Sequence, residues 1–143
     1  MKLDSVSRED ACNAVHIMQG KHYIDHIDVV IANAGICDHL LPVAEIEIDE
    51  LARHIDINVY GVLRLFQATW PMLQKSALPK FACVSSRIGS ISYSVTDQGT
   101  TGSYGLSKAA ANYLIAKIAA ENVSLIAFTI DPGYVFDPES CTR

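Results

Sequence analysis

No run in this chain approaches the ~18 apolar residues that a helix needs to cross a bilayer. Nor does the opening, Met1-Lys2-Leu3-Asp4-Ser5, carry the long apolar stretch of a secretory leader. A basic surplus is missing too: 11 lysines and arginines against 16 aspartates and glutamates leave a net charge of −5. Without a positive stripe there is no electrostatic footprint for nucleic acid or an anionic membrane. The four cysteines, Cys12, Cys37, Cys83 and Cys141, show no Cys-x-x-Cys spacing. They read as small core or loop residues in a reducing cytosol, not as a disulfide frame or a zinc site. His22 and His26 align on a helix, but no His-Glu-x-x-His spacing accompanies them, so they read as solvated and no metal is expected. Repeats, linkers and low-complexity segments are absent as well. The expectation that remains is a single domain in the cytoplasm.

Half of the residues are hydrophobic and 19% are charged, the balance of a globular protein. At 143 residues the chain can bury about two-thirds of its unfolded surface. Ser7 followed by Glu9 and Asp10 starts a helix, with Ala11, Ala14, Val15 and Met18 in helical period and Gly20 as its expected end. Asp28 to Asn33 holds a short, continuously apolar run rich in β-branched residues, expected to be a parallel strand buried on both faces. Leu51, Ile55, Val59, Val62, Phe66, Thr69 and Leu73 mark a long helix that Pro71 should kink or shorten. Lys80 to Ser85 and Leu125 to Ile130 read as two more strands, the last stopped by Asp131-Pro132-Gly133. Helices alternating with buried strands predict an α/β fold with a doubly wound parallel sheet.

Between those strands lies Thr101-Gly102-Ser103-Tyr104-Gly105-Leu106-Ser107-Lys108-Ala109-Ala110, a helix start followed by good helix formers. Tyr104 and Lys108 are four apart, one turn from each other on one face. A phenol with a pKa of about 10 exchanges protons poorly near neutrality. A neighbouring ammonium favours the phenolate, so the pair suits acid/base work on an alcohol or carbonyl. Alone, the spacing is common on solvated helix faces. Tyr113 and Lys117 repeat it without supporting residues, and Tyr93 sits in a loop. Gly99, Gly102 and Gly105 imitate a dinucleotide turn but follow a loop, not a strand.

Tyr104-x-x-x-Lys108 with Ala109-Ala110 resembles the active-site helix of the short-chain dehydrogenase/reductase family. Asn33-Ala34-Gly35, Asn58-Val59-Tyr60-Gly61, Val84-Ser85-Ser86 and Pro132-Gly133 match further motifs of that family in order. The resemblance covers nearly the whole chain and is nearest in flavour to fungal ketoreductases. It implies a Rossmann-like domain over residues 1–143 and hydride transfer between NAD(P)(H) and a carbonyl or alcohol. NADP or NAD is the implied cofactor, the former slightly favoured.

It also implies a catalytic tetrad of Asn58, Ser86, Tyr104 and Lys108. Tyr104 would protonate the carbonyl oxygen and Ser86 would hydrogen-bond it. Lys108 would lower the Tyr104 pKa and hold the ribose hydroxyls, and Asn58 would sit at a helix irregularity, holding water. Asp4, Asn33, Ala34, Gly35, Tyr104, Lys108, Pro132, Gly133 and Val135 would contact the cofactor. Departures from the family pattern are a long gap from Ser86 to Tyr104, Asp131 before the Pro-Gly, and Asp137 where a threonine is usual.

The same resemblance implies that the fold is incomplete. No N-terminal glycine-rich β-α unit and no C-terminal substrate segment appear in the 143 residues. The strand at 28–33 is then expected to be an unpaired edge. A catalytically inactive fragment that pairs with a full-length relative is the alternative expectation, and homo-oligomerisation through the helices at 50–73 and 103–121 is a further one.

Overall fold

The computed structural model describes residues 2–96 and 98–133. Helix α1 runs from Asp10 to His22. The cap position is Glu9 rather than the expected Ser7, but the Ser7 hydroxyl accepts from the Asp10 and Glu9 amides at 3.1 and 3.3 Å and donates to the Asp10 carboxylate at 2.7 Å. The helix passes Gly20 and stops two residues later, where Tyr23 turns left-handed at φ 54°. Lys21 and His22 fill the last turn, where positive charge meets the helix dipole.

Strand β1 spans Val29–Ala32, β2 Lys80–Val84 and β3 Ile126–Ile130. All three pair in parallel in the order β1-β2-β3, with Val30 opposite Phe81 and Phe81 opposite Ala127. Helix α2 (Ile48–Ile55) leads through a π turn at Asp56–Tyr60 into α3 (Gly61–Leu73), and α5 (Gly102–Glu121) precedes β3. Pro71 does not end α3, which continues for two residues. The segment expected to be a plain loop from 86 to 102 contains a 3-10 turn at Arg87–Gly89 and a short helix α4 at Ile91–Ser94.

The core forms where one sheet face meets α3 and α5. Val30, Ala32, Phe81 and Cys83 pack there against Val62, Leu73, Ile115 and Ile118. Phe66 reaches Phe81 edge-on at 5.3 Å and stacks tilted on Trp70 at 5.4 Å. The expectation that β1 is buried on both faces is corrected: Val29 is 49% and Ile31 60% exposed. By register they share their face with Ile126, Phe128 and Ile130, also exposed. Among the described residues that face is mostly exposed, with Ile31 bordering a cavity also lined by Leu3 and Asp4. As expected, β1 is an edge.

Parallel pairing has one consequence for chemistry. It brings the carboxyl ends of all three strands to one rim, so Asn33, Ser85-Ser86 and Asp131 lie side by side, and Ser85 N extends the ladder to Ile130 O at 2.7 Å.

Candidate active site

Asn58 lies within the π turn, the helix irregularity expected for it. That turn aims its amide inward, where it is 1% exposed. Its Oδ1 accepts from Ile36 N at 2.8 Å, and its Nδ2 donates to Ile36 O at 3.0 Å and to Ser107 Oγ at 2.9 Å. One side chain thereby fixes the segment leaving β1 against α5. Ser107 in turn donates to Tyr104 O at 2.7 Å. Gly35 completes the contact: a Cβ there would stand 3.0 Å from Asn58 Oδ1 and 3.4 Å from Lys108 Nζ.

Lys108 is 5% exposed, and its ammonium donates to Val84 O at 2.8 Å. Burial without a paired carboxylate lowers its pKa, partly opposed by the Cys83 and Cys37 sulfurs. Its Nζ lies 5.6 Å from the centroid of the Tyr104 ring. Ser86, extended at φ −159° and ψ 150°, caps the 3-10 turn through its Oγ, and its hydroxyl lies near enough to the Tyr104 phenol to lower that group's pKa. Ser86, Tyr104, Lys108 and Asn58 therefore converge, from β2, α5 and the π turn.

The electrostatics differ from the expectation in one respect. The Tyr104 pKa is raised, first by burial, then by Cys37 and Asp131, while Ser86 pulls it down. Lys108 is held on the Val84 carbonyl at 2.8 Å, with its ammonium 5.6 Å from the centroid of the ring. A raised folded pKa means that the protonated phenol dominates at neutral pH, and that the fold loses stability as pH climbs past the unfolded value of about 10. Replacing Asp131, the departure from the family pattern, with asparagine should move the Tyr104 titration to lower pH. NMR of ring-labelled tyrosine, assigned with Tyr104→Phe, reads that shift, and an unmoved titration would refute the assigned cause.

The cofactor candidates separate into two groups. Asn33, Ala34 and Gly35 are exposed at the end of β1 beside Lys108. Small residues there let a ligand approach the backbone, and Lys108 has N–H groups beyond the one given to Val84. That part fits a nicotinamide ribose. Asp4 lines a cavity with Leu3, Ile31, Asn33, Ala34 and Arg64. Pro132 and Gly133 are exposed after β3, with Gly133 at φ 75° and its amide on Asp131 Oδ1 at 3.0 Å. Val135 and Asp137 lie outside the described residues. Among the described residues no glycine-rich turn leads from a strand directly into a helix to receive a pyrophosphate.

Several participants escape sequence reasoning. Cys37, two residues past Gly35, lies close enough to Tyr104 and Lys108 to act on both titrations. Its own thiol is pushed up by burial and by Asp38, with Lys108 opposing. Ser107 was legible as the residue three after Tyr104 on the same helix. Tyr113 is 71% exposed, Lys117 pairs with Glu121 at 3.2 Å, and Tyr93 lies against Arg87 at 5.2 Å. Among the described residues no group of His, Cys, Asp or Glu is placed to hold a metal, and no helix is long and apolar enough to cross a membrane.

A family model described as enoyl-(acyl carrier protein) reductase matches residues 1–135. Norsolorinic acid ketoreductase nor1 of Dothistroma septosporum is 42% identical over 138 residues, covering 94% of this chain and 52% of that protein. The stcE norsolorinic acid ketoreductase of Emericella nidulans is 41% identical over 136 residues, with the same coverage. The chain thus spans about half the length of the curated relatives it matches. Among solved structures, the KRED1-Pglu enzyme superposes with a TM-score of 0.81 at 26% identity, over 92% of this chain and 52% of that one. NADPH-bound carbonyl reductase from chicken fatty liver gives a TM-score of 0.84 at 22% identity, over 96% and 61%, a likeness of fold. The three-stranded parallel sheet with its helices is thus part of a Rossmann-like fold.

Proposed function

The chain belongs to the short-chain dehydrogenase/reductase family, and from that premise we propose that its site transfers hydride between NADPH and a ketone. Tyr104 is the proton donor. The observation that carries this reading is the convergence of the Ser86 hydroxyl, the Tyr104 phenol and the buried Lys108 ammonium at one rim of the sheet. The cofactor supplies the hydride when bound. Ser86 orients the ketone oxygen, and Tyr104, protonated at neutral pH, delivers a proton to that oxygen. Lys108 holds the ribose hydroxyls with its remaining N–H groups, and Asn58 fixes Gly35 and Ile36 so that the ammonium has one place to sit. Asn33, Ala34 and Gly35 would hold the nicotinamide half and Asp4 the adenine, with Pro132 and Gly133 serving the carboxamide. The ketone as substrate class, and NADPH over NADH, follow the ketoreductases and the NADPH-bound reductase that the chain resembles. A cytoplasmic location goes with this reading.

A second reading has its own observation. The uncovered apolar face of Val29, Ile31, Ile126, Phe128 and Ile130, together with the open edge of β1, suits a partial Rossmann domain that pairs with a full-length relative or a second copy. Fluorescence titration with NADPH separates the two. Saturable binding, abolished by Lys108→Met, is the result expected of the enzyme. Affinity should be weak, because the described residues offer the pyrophosphate no glycine-rich strand-to-helix turn. A strictly linear signal up to millimolar NADPH would favour the pairing module and overturn the catalytic reading for this chain.

A further inference from the structure

Helix α5 presents a third side chain in line with Tyr104 and Lys108. Asn112 is four residues past Lys108, so it falls on the same flank one turn further on. Its Oδ1 accepts the Ser85 hydroxyl at 2.6 Å, and its Nδ2 donates to Gly89 O at 3.3 Å. The amide has one workable orientation, because the reverse would set its carbonyl against that of Gly89. Ser86 lies between these two tethers.

The turn that carries Ser86 is held at every other point as well. Val84 O receives Lys108, Ser85 N pairs with Ile130 O, and Gly89 N returns to Ser86 O at 3.0 Å. Gly89 lies directly on α5: a Cβ there would meet Lys108 C at 2.8 Å and Asn112 Nδ2 at 2.9 Å. No side chain larger than hydrogen lets the turn sit that low. The 3-10 turn is thus pressed onto the helix that carries Tyr104, with the Asn112 amide as the polar link across the seam. Ser85, 5% exposed, and Gly89 are both buried, so loss of that link is not made good by bulk water.

We propose that Asn112 is a positioning residue: by joining Ser85 to Gly89 it sets the distance between the Ser86 hydroxyl and the Tyr104 phenol. This rests on the reading of Ser86 and Tyr104 as partners in proton transfer. Asn112 touches neither the substrate nor the cofactor. It acts through the turn.

The test reads the Tyr104 phenol directly, by NMR titration of the full 143-residue chain carrying ring-labelled tyrosine. No activity or bound nucleotide is needed. The Ser86 contact lowers the Tyr104 pKa, so Ser86→Ala should move the titration up. Asn112→Leu, close in volume but without polar atoms, should move it up in the same direction. The double variant should go no further than Ser86→Ala, because the two changes break one contact. Ser85→Ala removes one tether alone and should give a smaller upward shift; it stands in for Asn112→Leu if that variant fails to fold by circular dichroism. A folded Asn112→Leu, or Ser85→Ala in its place, that titrates as the parent does while Ser86→Ala shifts would overturn the positioning role and leave the Ser86–Tyr104 partnership intact. An unmoved titration in Ser86→Ala would overturn both.

Discussion

Replacing Asn58 by leucine is expected to cost about 3 kcal/mol of folding stability, one of the largest effects a single change in this chain can have. The amide serves both polar atoms of Ile36 and the Ser107 hydroxyl at 2.8 to 3.0 Å. Leucine fills similar volume but leaves Ile36 N and Ile36 O without this partner and takes the Asn58 donation from Ser107 Oγ, which keeps its bond to Tyr104 O, at about 1 kcal/mol or more for each interaction lost. Against a typical total of roughly 5–15 kcal/mol, that is a large fraction. The melting temperature should fall by about 10 °C. Asn58→Asp keeps the acceptor for Ile36 N and loses both donations, so its fall should be intermediate. A thermal melt of the three proteins checks the order. Equal stability of parent and Asn58→Leu would mean that the segment from 35 to 38 is held by other contacts, such as the Arg53–Asp38 pair at 2.9 Å.

The three strands, the long helices and the order of motifs were legible because each rests on a local pattern. Short, largely apolar runs rich in β-branched residues mark β1 and β3, and three- and four-residue steps mark α2 and α3. What escaped was what depends on neighbours. Asp28 to Asn33 has the composition of a strand covered twice, yet only the Val30 and Ala32 side meets helices among the described residues. Composition reports the cover a strand is suited to, and only packing reports the cover it has. The Tyr104 pKa escaped for a related reason. Spacing places Lys108 one turn away, but the burial that raises the phenol's pKa, and the nearness of Cys37 and Asp131, come from packing between segments far apart in sequence. Asn112 was in plain view at the same four-residue step, and its role became readable only with Ser85 and Gly89 beside it.

The alternation of buried and exposed residues also bears on handling. The outward face of Val29, Ile31, Ile126, Phe128 and Ile130 is apolar and flat, the kind of surface that proteins cover or charge.

The central claim is that the Tyr104 phenol gives up the proton that accompanies hydride transfer. Proton transfer by a positioned side chain contributes about 10²- to 10⁴-fold to rate. Phenylalanine keeps the ring, its packing and its contact with Lys108 while deleting only the oxygen, so cofactor binding and stability should stay close to those of the parent. The decisive measurement is the single-turnover rate of ketone reduction at millimolar NADPH, a concentration chosen to offset weak pyrophosphate binding, for the parent and for Tyr104→Phe. A fall of about 10²- to 10⁴-fold with unchanged NADPH affinity is the predicted result. Rates that agree within a factor of about three, in a parent that does reduce the ketone, would contradict it.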